Sequence, residues 1–299
     1  MIVVVIVVVV VVFVYYDILV YINVRGGTYN KCRVAIKFFN AGPRGKIKTF
    51  RREANTLMRL RHPHILLVMG IMPIAPNGFA IVSELCMGAS LFYRLFTKQD
   101  INLRCSLVIG CQVGYALAYL HGRRYQHRDV KSSNVFLLNR STQEPIAKLG
   151  DFASCRFYES GGLQTPGHTV GTPGYMAPEM ARDEPYDQSA DIFSFGLLLY
   201  ELIAQKRAWN IEELTLLKGE RADTARIDEE NPTSMADLVP HLLEVSKKHV
   251  IPNLARLDDA LKGSSSVVGK CLKHASADRP PAADVVVGLH LLEQNFHEL

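Results

Sequence analysis

Eight consecutive residues, His127-Arg128-Asp129-Val130-Lys131-Ser132-Ser133-Asn134, hold the densest chemistry in the 299-residue chain. An aspartate five residues ahead of an asparagine on a tight loop can present a carboxylate to a substrate hydroxyl and an amide oxygen to a metal. The tripeptide His-Arg-Asp is trivial alone; its company makes it specific. Past Asn134 comes Asp151-Phe152, preceded by Ala147-Lys148-Leu149, which reads as a short strand ending in a carboxylate suited to Mg²⁺. Upstream, Val34-Ala35-Ile36-Lys37 is a strand-borne lysine, followed by Glu53 on a candidate helix. Downstream lie Gly171-Thr172-Pro173-Gly174-Tyr175-Met176-Ala177-Pro178-Glu179, then Asp191 in the run DIFSFG, then Arg279 before a proline.

Positioning these groups requires two kinds of scaffold. Alternating or β-branched runs over Ile18 to Val24, Arg33 to Phe39, and Val68 to Ile74, the last paired with Phe79 to Ser83 across Pro76-Asn77-Gly78, predict an antiparallel sheet. Between them Phe50, Ala54, Leu57 and Met58 recur at helical spacing, which predicts a helix over Lys46 to Leu60. From Ser90 onward the pattern is helical, with Cys105 to His121 and Ser189 to Ala204 as the longest apolar stretches. Leu238 to Lys248, Leu254 to Leu261 and Ala283 to Leu292 are further helical candidates. The fold class expected is α+β: a small antiparallel sheet with one helix, then a larger, mostly helical half.

With these landmarks in this order, the chain resembles the eukaryotic protein kinases from Arg33 to about Leu292. The blocks HRDVKSSN and DIFSFGLLLYEL are most similar to the tyrosine-kinase-like and receptor-like kinases. The resemblance implies a two-lobed fold, with boundaries at 1–17 (an apolar segment), 18–84 (small lobe) and 85–299 (large lobe). It also implies ATP and Mg²⁺ as cofactors and protein substrates with Ser/Thr acceptors. Lys37 would hold the α- and β-phosphates and be positioned by Glu53. Asp151 and Asn134 would bind Mg²⁺, and Asp129 would orient and deprotonate the acceptor hydroxyl. Lys131 would lie against the γ-phosphate; Lys131 and Gly171-Thr172-Pro173 are the Ser/Thr-directed forms. Ser83 would stand behind the adenine, whose edge would meet the backbone of Glu84 and Cys86. Leu57, Val68, His127 and Phe152 would stack between the lobes over Asp191, and Glu179 would pair with Arg279.

Two departures from the family stand out. Ala153 follows Asp151-Phe152 where the family has glycine, and no G-x-G-x-x-G precedes Lys37. If Val20 is the valine after that loop, the glycine positions fall on Phe13, Tyr15 and Ile18. A pseudokinase acting as a nucleotide-binding or scaffolding module therefore stays open beside the enzyme.

Composition narrows the rest. A charged fraction of 21% and a hydrophobic fraction of 48% suit a globular chain and argue against bulk disorder. The net charge of +5 is mild and no dense Lys/Arg run marks a nucleic-acid tract, so no nucleic-acid partner is expected. Six cysteines scattered without C-x-x-C spacing fit a reducing, cytoplasmic setting. The valine-rich start, Ile2 to Tyr16, stays undecided between a membrane anchor, an extra strand and a misassigned start; membrane association would run through 2–22. Trp209 and the stretch Ile211 to Lys262 match the family poorly and read either as a docking surface or as helical packing. Oligomeric state, substrate and pathway are not legible.

Overall fold

The computed structural model describes residues 23–40, 58–74, 78–158, 170–209 and 242–297. The first unit is a four-stranded antiparallel sheet of β1 (Asn23–Tyr29), β2 (Cys32–Asn40), β3 (Val68–Ile74) and β4 (Gly78–Glu84), ordered β1-β2-β4-β3. Asn30 and Lys31 close the β1–β2 hairpin with φ of 48° and 66°, the left-handed pair of a two-residue type I′ turn. That turn fixes the register Val24↔Lys37 and Thr28↔Arg33.

The register corrects one expectation. The described strand beside the lysine strand is Asn23–Tyr29, which runs five residues past the expected end at Val24; the rest of the expected strand, residues 18–22, lies outside the described residues. The valine opposite the lysine is then Val24, not Val20. Counting back by the same offsets moves the glycine positions to Asp17, Leu19 and Ile22, and still none is glycine.

Strand alternation decides which side chains face the site. Val34, Ile36, Ala80 and Val82 are buried together on one face. Ala35 pairs with Ser83 and Lys37 with Ile81, so these four share the opposite face.

The second unit is helical. Its axis is α3, introduced here with its neighbours in chain order: α1 (Leu103–Gly122), α2 (Pro178–Ala181), α3 (Ser189–Ala204), α4 (Ala255–Ala260), α5 (Ser264–Cys271) and α6 (Ala282–His297). Fourteen of the sixteen α3 residues are buried, which is why its sequence is apolar on all sides. By length and composition α1 could cross a membrane, yet 61% of its apolar window is buried against the rest of this unit. It is capped by Asn102, whose side chain accepts from the Cys105 amide at 2.8 Å. A hairpin of β6 (Val135–Leu137) and β7 (Ala147–Leu149) and a short pair of β5 (Tyr125–Gln126) with β8 (Arg156–Phe157) frame the loops of the site.

The two units meet through residues 64–67 and the end of β4. Leu149 donates to the His64 carbonyl (2.8 Å) and Leu66 to the Leu149 carbonyl (2.9 Å), adding a parallel bridge to β7. Glu84 bonds the Leu67 backbone both ways, while its carboxylate lies 3.0 Å from the Lys148 ammonium.

Candidate functional site

The loop after β5 is held by one buried carboxylate. Asp191, 1% exposed near the start of α3, accepts from the Arg128 amide (2.7 Å), the His127 amide (2.8 Å) and His121 Nε2 (2.9 Å). Burial alone would raise its pKa, but the hydrogen bond and charge of His121, then the His127 charge and the Arg128 amide, hold it below the ordinary aspartate value. This anchoring stabilises Arg128 at φ 65°, a left-handed conformation that costs about 1–3 kcal/mol for a residue with a side chain. The chain therefore turns sharply just before Asp129. The His127 ring bonds the Gly150 carbonyl at 3.0 Å and packs edge-on against Phe152, with ring centres 4.9 Å apart.

Beyond that turn the polar residues converge. The Asn134 amide donates to the Asp129 carbonyl (2.8 Å) and carboxylate (2.9 Å), closing the loop on itself. Lys131 lies 3.3 Å from the same carboxylate. Thr172 donates its hydroxyl to Asp129 Oδ1 at 2.6 Å and accepts from Lys131. The Gly150 amide donates to the Asn134 carbonyl (2.9 Å), setting Asp151 beside this loop.

Across the cleft, Lys37 reaches from β2 to within 3.0 Å of Asp151 Oδ1, joining groups 114 residues apart in sequence. Burial pushes the Asp151 carboxyl upward, but the Lys37 charge and hydrogen bond, with Lys131 and His127 behind, hold it below the usual value. Asp151 has φ 55°, and a 3₁₀ turn over Phe152–Ser154 follows. Ala153 is not among the positive-φ residues, so the left-handed step here falls on the aspartate and an alanine methyl fits the next turn.

At the back of the cleft Ser83 is buried and the Glu84 amide is already committed to Leu67. The Glu84 carbonyl accepts from the Ser83 hydroxyl at 3.4 Å. Burial, reinforced by the Glu84 charge, pushes the Cys86 thiol up to about 12, which keeps it protonated and unreactive.

Among the described residues, no group of three or more His, Cys, Asp or Glu is placed to hold a metal alone. The donors at hand are the Asp151 carboxylate and the Asn134 amide oxygen. That set suits Mg²⁺, which takes one or two carboxylates and completes its shell with substrate phosphates and water.

Of the residues singled out from sequence, Asp129, Lys131, Asn134, Asp151 and Lys37 come together around one cleft, with Ser83, Glu84 and Cys86 at its back edge. Glu53 and Leu57 lie outside the described residues. The Glu179–Arg279 pair forms as a two-pronged contact of 2.5 and 2.9 Å. Sequence reasoning assigned no contact to the Thr172 hydroxyl; its place in the Gly-Thr-Pro block was the available signal. Nor did it find the Tyr175 hydroxyl, which donates to the fully buried Glu201 at 2.7 Å. Trp209 packs inward and donates to the Gly174 carbonyl at 2.8 Å; residues 210–241 lie outside the described residues.

A family model described as "Protein kinase domain" matches residues 23–287. Serine/threonine-protein kinase CTR1 of Arabidopsis thaliana is 36% identical over 170 residues, covering 55% of this chain and 20% of that protein. The RAF proto-oncogene serine/threonine-protein kinase of Xenopus laevis is 28% identical over 261 residues, covering 85% of this chain and 36% of the relative. Serine/threonine-protein kinase Nek5 of Homo sapiens is 30% identical over 204 residues, covering 66% and 28% respectively. The chain thus spans about a fifth to a third of the length of these relatives.

Proposed function

The chain belongs to the protein kinase family, and we propose on that premise that it transfers the γ-phosphoryl group of ATP to Ser and Thr hydroxyls of protein substrates. The observation that carries the reading is the Lys37–Asp151 contact of 3.0 Å, opposite the closed Asp129–Asn134 loop. It brings a lysine ammonium and two carboxylates together, the groups that phosphate binding, metal binding and base catalysis would need.

Asp129 is assigned as the group that orients the acceptor hydroxyl and takes its proton. Its carboxylate is held on two sides, by the Asn134 amide and the Thr172 hydroxyl, so little reorganisation is needed when the proton arrives. Lys131 beside it would meet the γ-phosphate, and Lys37 the α- and β-phosphates. Asp151 and Asn134 would hold Mg²⁺, which when bound neutralises phosphate charge. We assign Glu53 as the partner that positions Lys37, and the Glu84 carbonyl with the Cys86 backbone as the adenine edge. We assign 18–84 as the small lobe and 85–299 as the large lobe, one on each side of this cleft, with 1–17 as a separate apolar segment.

The Ser/Thr direction is supported by Thr172, whose hydroxyl joins Asp129 and Lys131, and by the serine/threonine-protein kinases among the relatives. The tyrosine-kinase-like subgroup agrees with CTR1 and RAF standing among them. Six cysteines scattered without C-x-x-C spacing suit action in the cytoplasm. The test measures Mg·ATP affinity together with transfer to a generic Ser/Thr protein acceptor. Binding with transfer supports the enzyme, whereas binding without transfer returns the chain to a scaffolding role.

A further inference from the structure

Resting on the phosphoryl-transfer reading, we propose that Trp209 and Ser246 are positioning residues for the protein acceptor, acting through a clamp on Gly174. Thr172, which donates to Asp129, begins a turn in which the Tyr175 amide returns to the Thr172 carbonyl at 3.0 Å. Whatever fixes the tip of that turn fixes the floor beside the base. At the tip is Gly174, with φ 88°.

Both backbone polar groups of Gly174 are gripped by side chains distant in sequence. Its carbonyl accepts from the Trp209 indole at 2.8 Å, and its amide donates to the Ser246 hydroxyl at 3.2 Å. The space a side chain would need is filled: a Cβ there would stand 3.1 Å from Leu242 and 3.3 Å from the Trp209 ring. Ser246 is buried, so its hydroxyl is shielded from competing water.

The next residue is held as firmly. Ser194 donates to the Tyr175 carbonyl at 2.6 Å, and the Tyr175 hydroxyl bonds Glu201. Those two bonds come from α3, which also carries Asp191 and so supports the whole catalytic loop. The Gly174 clamp comes from outside α3, and its two hydrogen bonds run to Trp209 and Ser246 rather than to the loop 127–134. It acts first on the acceptor floor and reaches the nucleotide side only through the Thr172–Lys131 bond, while Lys37 and Asp151 pair across the cleft away from it.

Hydrogen exchange and kinetics test this on the full chain. Ser246→Ala removes the partner of the Gly174 amide, and Trp209→Phe removes the indole donor while keeping an aromatic ring. Both variants should speed exchange of the Gly174 and Tyr175 amides at least tenfold. Acceptor KM should rise at least fivefold with ATP KM held within twofold, and Ser246→Thr should restore both. Unchanged exchange in Ser246→Ala overturns the clamp. A parallel rise in acceptor and ATP KM, or a lower melting temperature with no KM split, makes these residues structural only. Failure of the wild type to transfer phosphate overturns the kinase reading itself and is seen before any variant is compared.

Discussion

Replacing Asp191 by Asn should cost more stability than almost any other one-atom change in the molecule. One carboxylate oxygen serves the Arg128 amide; the other serves both the His127 amide and His121. A carboxamide can accept on one side only. Its better orientation keeps the His127 and His121 bonds and turns an NH₂ group toward the Arg128 N–H. An orphaned buried donor costs about 1–3 kcal/mol, and loss of charge assistance on the two surviving bonds about 1 kcal/mol each, giving a total near 3–5 kcal/mol. That is a large share of the roughly 5–15 kcal/mol by which domains are stable. The Arg128 bond is the one that keeps that residue at φ 65°, so the Asp129 loop should relax at the same time. The pH sign follows from a lowered carboxyl: its contribution is present above the ordinary value of 3.8 and lost as pH falls through the lower folded value. Urea unfolding at pH 7 and along an acid series measures both. A loss below about 1 kcal/mol at unchanged m would refute the reasoning, as would an acid limb identical in wild type and variant.

Burial pushes the Glu201 carboxyl up to about 7, with hydrogen bonds from Tyr175 and Ser132 only partly opposing it. A raised carboxyl stabilises the protonated fold, and that contribution is lost as pH rises from its ordinary value of 4.5 through 7; Glu201→Gln should flatten this slope in unfolding measured between pH 5 and 8. Arg279→Met leaves the Glu179 carboxylate unpaired in the core and should cost about 3–5 kcal/mol by urea titration, while replacing both partners with apolar residues should cost less. Thr172→Ala removes a hydrogen bond to a charged group, worth about 1.5–3 kcal/mol, so kcat should fall roughly 10- to 100-fold in steady-state assays, and Thr172→Ser should restore it.

Much of this architecture was legible because the signals were long and periodic. Ser189 to Ala204 emerges with the same bounds read from the sequence, since an apolar run of four turns can only be a core helix in a chain of this composition. The lysine strand likewise extends just one residue beyond each end of its β-branched pattern. The C-terminal end of the strand before it was misread for a physical reason. Asn23–Tyr29 contains two adjacent glycines and little β-branched surface, whereas the valine tract upstream advertises strand propensity more loudly. What places Asn23–Tyr29 is the Asn30-Lys31 turn, whose two left-handed residues set the register. Helix α5 was missed because three serines open it; it is started instead by Asp258, which accepts from the amides of Gly263 and Ser265. At the site, motif spacing identified the charged residues but not their neutral partners. Thr172 and Trp209 act through contacts across tens of residues, which no local pattern encodes.

Phosphoryl transfer by Asp129→Asn, compared with wild type in the same preparation, tests the central claim most directly. Mg·ATP affinity should stay within about threefold, because the substitution leaves Lys37 and Asp151 untouched and the remaining amide can still face Asn134. Transfer from [γ-³²P]ATP to a Ser/Thr protein acceptor should fall by about 10²-fold or more, the scale of a lost general base. A variant that keeps most of the wild-type rate, with ATP bound as tightly, would contradict the assignment of the cleft as a phosphoryl-transfer site built around Asp129.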